Sequence, residues 1–251
     1  MPDEGRWSIG ISGWEPFGHP IMDAPPVILY TIEGQPYNAN TIPSRIQFQG
    51  KPKVSPGLDI AAGAGKHHII RLSVFRTQAA GDLVAPTNLV LWGGTYSQGT
   101  YLSMNYRVQN LKLSYEFLTW PYPIESRKFR LKTLWQFQYT SASSAFDAPL
   151  LPAANGPYNA SGKKSIYLPA LGLGVAYYLS PNFRVEANGT GFAIPGHSNL
   201  LDADASASYR VGRVEARVGF KAFHFRTSLN SDYYMRGNLV GAFVGLRYFL
   251  N

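Results

Sequence analysis

The 251-residue chain contains no cysteine, so no disulfide framework and no thiolate metal site can be built from it. Nor does it hold a run of about 18 apolar residues, the least a spanning helix needs, which excludes a helical membrane protein. Charged residues make up only 15%, which together with 25 Gly, 18 Pro and 14% aromatics suits many strands joined by irregular loops. The net charge of +8 comes from Lys and Arg scattered through alternating segments rather than gathered into a patch, and nucleic acid is not an expected partner. Two glycine-rich fragments, Ala62-Gly63-Ala64-Gly65-Lys66 and Gly93-Gly94, have no helical pattern after them, so neither is a phosphate loop and no cofactor is expected. Met1-Pro2-Asp3-Glu4 lacks the basic and apolar regions of a signal peptide, and the chain reads as a mature sequence.

What is present is period-two alternation. Between Leu200 and Lys221, Leu201, Ala203, Ala205, Ala207, Tyr209 and Val211 share one face, with Asp202, Asp204, Ser206, Ser208 and Arg210 on the other. After Gly212-Arg213 the pattern resumes, with Val214, Ala216, Val218 and Phe220 opposite Glu215, Arg217, Gly219 and Lys221. Keeping both apolar faces on one side of an antiparallel pair sets Val211 against Val214, Arg210 against Glu215 and Asp204 against Lys221. The polar face is therefore charge-paired.

Similar segments recur along the chain, and the whole of residues 1–251 reads as one all-β domain. Trp7, Ile9 and Ile11 open it, followed by an irregular, Pro- and Gly-rich stretch from Trp14 to about Pro43. An even-numbered apolar phase then runs from Ile46 to Ala64, interrupted by Pro52 and Pro56. Ile70, Leu72 and Val74 form the next strand, and a second excursion over 78–99 carries a candidate hairpin at Leu89 to Tyr96. Leu102 to Val108 alternate in even phase and Leu111 to Phe117 in odd phase, so a bulge or a turn is expected at Gln109-Asn110. Further segments are Phe129 to Tyr139, Leu171 to Leu179, Phe183 to Gly189 and Val240 to Leu250, with a third long loop over 141–164. Short connections at 66–68, 121–127, 180–182 and 212–213 alternate with long ones. A bulge at Gln109-Asn110 gives ten strands, the expected count; a turn there, with Leu89 to Tyr96 as a wall strand, gives twelve as the alternative.

Two faces so different require one of them to meet lipid or water. Burying Arg184, Glu186, Arg210, Glu215 and Arg217 unpaired in a sealed core would cost several kcal/mol per charge. The small residues Ala187, Gly189, Ala203, Ala205 and Ala207 would fill such a core poorly. Trp7, Phe117, Phe129, Tyr177, Phe183, Tyr209 and Tyr248 fall near the short-turn end of the apolar face, and Tyr101, Phe137, Tyr139 and Tyr167 near the other, as two aromatic girdles would. A soluble lipocalin-like barrel is the rival reading.

This pattern resembles the bacterial outer-membrane β-barrel superfamily, most locally in the closing strand Val244-Gly245-Leu246-Arg247-Tyr248-Phe249-Leu250, which departs from the usual Phe ending because Leu250 and Asn251 follow. The resemblance implies an antiparallel up-and-down transmembrane β-barrel in the bacterial outer membrane, with short periplasmic turns and long extracellular loops. It also implies contact with outer-membrane lipid and lipopolysaccharide, recognition of the closing strand by the barrel assembly machinery, and protein partners met through the long loops.

The expected lumen charge network comprises Arg184, Glu186, Asp204, Arg210, Glu215, Arg217 and Lys221, with Arg184 across from Arg210. Such a network fills a narrow barrel or, in the alternative, selects small polar solutes or anions. Asp202, Asp204 and His224 fall toward the long-loop end, where omptin-like proteases carry acidic residues and a histidine. Outward His224 with Ser228 imitates the His and Ser of lipid A deacylases. His67-His68 has no third ligand nearby and is not a metal site. The leading expectation is a non-enzymatic structural, surface-display or partner-binding scaffold; a narrow channel and a rim-sited hydrolase are the alternatives.

Overall fold

The computed structural model describes residues 6–24, 27–30, 36–39, 44–65, 67–120, 128–150, 159–195, 197–227 and 234–250. Met1 to Glu4, Lys66, the 121–127 connection, Ser228 and Asn251, all invoked above, lie outside them. Sixteen strands and no helix are present among the described residues. The barrel wall is β1 (Trp7–Pro16), β6 (Ser55–Ala64), β7 (His68–Val84), β10 (Tyr101–Trp120), β11 (Phe129–Asp147), β12 (Asn159–Tyr178), β13 (Phe183–Ala193), β14 (Asn199–Val211), β15 (Val214–Arg226) and β16 (Tyr234–Phe249). They pair antiparallel in that order, and β1 pairs with β16 to close the cylinder at ten strands. The expected register Val211↔Val214, Arg210↔Glu215 and Asp204↔Lys221 is present.

Several loops read from the sequence are strand. The irregular stretch after Trp14 holds β2 (Ile21–Ala24), which continues the register of β1 along β16, and β5 (Ser44–Gln47), which pairs with β2. Between them β3 (Val27–Tyr30) pairs with β4 (Pro36–Ala39). The first third of the 78–99 excursion is the upper end of β7, and the hairpin of β8 (Leu89–Leu91) and β9 (Gly94–Tyr96) follows. That hairpin is not part of the wall, which removes the twelve-strand count. Its turn places Trp92 and Gly93 at φ of 50° and 86°, the double left-handed conformation of a tight hairpin turn. The 141–164 loop is shortened from both sides by β11 and β12.

Gln109-Asn110 is neither bulge nor turn: β10 runs through it with unbroken pairing to both β7 and β11. What changes there is the solvent. Leu111, Leu113 and Tyr115 point outward and are exposed, whereas Leu102, Met104, Tyr106 and Val108 point inward and are buried. The same change occurs between outward Val74 and inward Phe75 on β7, between outward Phe220 and inward Phe223 on β15, and between outward Val240 and inward Leu239 on β16. Ile46 and Phe48 are buried inside while Leu58 and Ile60 are exposed outside, so the even phase of that segment serves two opposite surfaces.

The cylinder therefore has two halves. In the lower half the outside is apolar from Tyr167 to Tyr177 on β12, roughly 25 Å at ~3.3 Å rise and ~40° tilt, the height of an outer-membrane apolar band. In the upper half the outside is polar and the inside is an apolar core of Trp14, Met22, Ile46, Phe48, Phe75, Leu89, Leu91, Tyr96, Leu102, Met104, Tyr106, Phe146, Ile166, Leu168, Phe223, Phe225 and Leu239. Water surrounds that half, so burial favours the ordinary arrangement of a soluble protein. The lower aromatic girdle holds its expected residues, and the upper one is Phe137, Tyr139 and Tyr167, with Tyr139 and Tyr167 rings 4.8 Å apart. Tyr101 pairs with Val84 at the far end of β10, well above the girdle in which the sequence pattern set it.

Candidate functional site: the barrel lumen

Inward positions of the lower half carry the charges. They form a closed ring of alternating sign: Asp59 pairs with Arg71 (3.1 Å), Arg71 with Glu116 (2.6 Å), Glu116 with Lys132 (3.1 Å) and Lys132 with Glu186 (2.7 Å). Glu186 then meets Arg184 (3.5 Å), Arg184 Glu215 (3.1 Å), Glu215 Arg247 (3.3 Å), and Arg247 returns to Asp59 (3.6 Å). Glycines on β12 make the room: a Cβ at Gly174 would collide with Asn188 and crowd Lys132, and one at Gly172 would strike the Gly189 carbonyl. Removing one partner from such a ring leaves a buried charge uncompensated, which costs about 3–5 kcal/mol.

Below the ring, Arg210 lies over the Phe249 ring at 3.7 Å and donates from Nε to the Gly212 carbonyl (3.0 Å), while Arg130 lies over Tyr178 at 5.0 Å. Above it, Asp202 accepts from Lys112 (2.7 Å) and pairs with Lys221 (3.7 Å). The Lys221 ammonium is also 3.9 Å from the Phe75 ring centre and 5.3 Å from that of Trp14, where the charged layer meets the apolar core. Asn110 donates to Gln138 (3.1 Å) and Thr140 (2.9 Å) at the same level. A cavity of about 160 Å³ lies among these layers, lined by polar groups such as Asn110, Gln136, Asn188 and Arg217 and by apolar ones such as Trp14, Phe75 and Leu134.

The residues named from the sequence are thus distributed unevenly. Arg184, Glu186 and Glu215 sit in the ring. Arg184 faces Ser208 across the β13/β14 ladder, not Arg210, because the register places the next polar pair there. Asp204 is the ladder partner of Lys221, yet Lys221 turns to Asp202 and Asp204 accepts instead from Asn188 (3.3 Å). Arg217 reaches Ser206 (3.4 Å) and the Phe243 ring. Asp202 is 4% exposed inside the lumen. His224 points to the outer surface, held between Asn238 (2.6 Å) and Asn199 (3.0 Å). No bulge turns it inward: β15 keeps its register with β14 and β16 there. Asp202 and His224 are therefore on opposite sides of the wall and share no site.

His68 is an outward girdle residue bonded to the Tyr115 hydroxyl (2.7 Å), and no cluster of three metal-ligating side chains occurs among the described residues. Sequence reasoning missed Asp59, Arg71, Glu116, Lys132 and Arg247 as network members. All were visible as the polar phase of apolar strands, but closing the ring needs Lys132 to reach Glu186 across β12 and Arg247 to meet Asp59 from the other end of the chain.

The cap above the cavity is closed by side chains. Trp92 in the β8/β9 turn covers Gly162 and donates to Ser144 Oγ (2.9 Å). Phe48 packs on Tyr106 and Phe146 with ring centres 5.3 and 5.9 Å apart. Burial pushes the Tyr106 hydroxyl up to about 12 and lowers the pKa of His19, whose ring lies edge-on to it.

Similarity to solved structures falls on one fold. The outer membrane protease OmpT from Escherichia coli matches 98% of this chain over 97% of its own length, with TM-score 0.59 at 12% identity. This chain has the fold of a bacterial outer-membrane β-barrel. Weaker matches are the transport unit of the autotransporter AIDA-I from Escherichia coli (9% identity, 98% and 90% covered, TM-score 0.42) and the attachment invasion locus protein Ail of Yersinia pestis (10%, 96% and 99%, 0.40). No protein-family model and no curated protein matches the sequence. The apolar outer band is the surface that such a barrel presents to lipid, and identities this low carry the fold and no activity.

Proposed function

We propose that this barrel is a non-enzymatic outer-membrane scaffold that holds a rigid, water-exposed β extension above the membrane and presents its long loops to protein partners. The observation that carries the reading is the double filling of the lumen. A salt-bridged ring crosses it at membrane level, and an apolar core of buried aromatic and aliphatic side chains crosses it again above. Ions crossing the lower layer would have to displace ion pairs, and those crossing the upper would have to enter a dry core. The closing strand, with Leu246, Tyr248 and Leu250 outward, is the segment we assign to recognition by the barrel assembly machinery.

The channel reading is tested in planar bilayers. The scaffold reading expects no reproducible single-channel steps from the purified barrel, and none from an Arg184→Ala variant that still folds. Regular steps in the unaltered protein, with selectivity changed by Arg184→Ala, would overturn it. A hydrolase built on Asp202 and His224 is disfavoured because the wall separates them.

A further inference from the structure

Above the salt-bridged ring, the charges of the lumen do not all find partners. Five cations and five carboxylates line the cavity between the ring and the apolar core. Arg71, Arg247, Asp59, Glu116 and Glu186 are held in the ring, and Lys112 and Lys221 share Asp202. One charge of each sign is left over. Among the described residues, neither Arg217 nor Asp204 has an oppositely charged group in ion-pair contact. Arg217 donates to Ser206 (3.4 Å) and lies over the Phe243 ring, and Asp204 accepts from Asn188 (3.3 Å). Lys221, the ladder partner of Asp204, is turned to Asp202 instead. Asp204 lies within the field of Arg217, yet the two do not meet, and both line the cavity.

A third unsatisfied group faces the same space. The Ser114 hydroxyl is on a residue only 1% exposed and has no hydrogen-bond partner among the described residues. The rest of the wall includes Trp14, Phe75, Leu134 and Phe243. A charge left uncompensated inside a protein is costly, and one of each sign doubly so. Water alone could solvate both, but beside the aromatic wall it lacks the roughly two to four polar partners that an ordered water needs.

We infer that this cavity holds one small α-amino acid as a zwitterion, its carboxylate at Arg217, its ammonium at Asp204 and a short apolar side chain against the aromatic wall. Arg217 presents the planar donor fork that suits a carboxylate, and Ser114 adds a neutral donor. The ammonium gives Asp204 the cation that Lys221 does not supply. A volume of about 160 Å³ limits the ligand to small members of the class. The ring below and the dry core above leave no open route to it, so the ligand is enclosed as the barrel closes and its presence requires no conduction. The inference goes beyond the scaffold reading and stands whatever the loops bind.

The test refolds the full chain from denaturant into detergent micelles in the presence of glycine, alanine or valine. Parallel samples contain isovalerate, which is valine without its ammonium, or isobutylamine, which is valine without its carboxylate. Free solute is removed, retained mass is read by native mass spectrometry, and folding is checked by heat-modifiable migration on a gel. The unaltered protein is expected to retain one valine and to hold each analogue at least about ten-fold less, because each leaves one lumen charge uncompensated. Arg217→Gln and Asp204→Asn are each expected to lower valine retention at least about ten-fold. Both remove an unpaired charge from the lumen, so without ligand they are expected to fold at least as readily as the parent. Should neither variant fold, the comparison of valine with its two analogues on the unaltered protein decides alone. Retention of none of the three amino acids would leave the cavity to water and overturn the proposal, as would equal retention of valine and either analogue, or unchanged retention by a folded variant.

Discussion

The lower and upper halves of this barrel are continuous strands with opposite polarity. Val218 and Val108 are both valines in wall strands, yet Val218 is 56% exposed on the outer face and Val108 fully buried inside. Below the girdle the surroundings are hydrocarbon, so apolar side chains lose little by facing out and charges must find partners within the lumen. Above it the surroundings are water, and the same hydrogen-bonded ladder turns its apolar residues inward. Because a strand alternates strictly, the inversion needs no break in the backbone; one change of apolar phase in the sequence suffices. The phase change at Gln109-Asn110 therefore marks the membrane surface.

Three substitutions set the halves against each other. The largest effect is expected for Glu116→Ala, which takes one carboxylate from both Arg71 and Lys132 and leaves the ring with an excess positive charge. Unfolding of the refolded barrel in guanidinium, followed by tryptophan emission, should show a loss of about 3–5 kcal/mol. A loss under about 1 kcal/mol would mean that the ring is solvated rather than sealed. Next comes Val218→Arg on the outer face of the lower half, for which a loss of about 2–4 kcal/mol is expected from a charge facing hydrocarbon. Were Val218→Arg neutral in lipid vesicles, that surface would not be in the bilayer. The smallest effect belongs to Arg107→Val, an outward exchange in the opposite chemical direction on the upper half, expected to change stability by no more than about 0.5 kcal/mol. A gain of several kcal/mol there would place Arg107 in the apolar band and move the membrane boundary upward.

Much of this was legible in the residues. The outward apolar face, the lower girdle and the register of the 200–221 hairpin follow from alternation and a two-residue turn, both local properties. The upper half was not. Residues such as Ile46 and Phe48, Leu102 to Val108, and Phe223 and Phe225 carry the same strand period as the membrane half, and period alone does not say which side of a wall is greasy. The sequence pattern consequently suggested a bulge or turn at Gln109-Asn110, where β10 continues, and loops at 78–99 and 141–164, whose ends belong to β7, β11 and β12. The candidate site was legible only as a set of charges. Glu215 is paired with Arg210 by register, but its carboxylate is also reached by Arg247, opposite it on β16, and by Arg184, two strands away on β13, because side chains crossing a closed lumen are not limited to one neighbouring strand.

By itself, then, the sequence determined that the chain is a many-stranded β cylinder with an ionic side and a greasy side, since both follow from a two-residue period over short stretches. Only the tertiary structure decided that the cylinder has ten wall strands, that its polarity inverts at the headgroup level, and that its charges close into a ring. Each of these depends on closure: until β1 pairs with β16 there is no interior to fill and no level around the wall at which distant side chains meet.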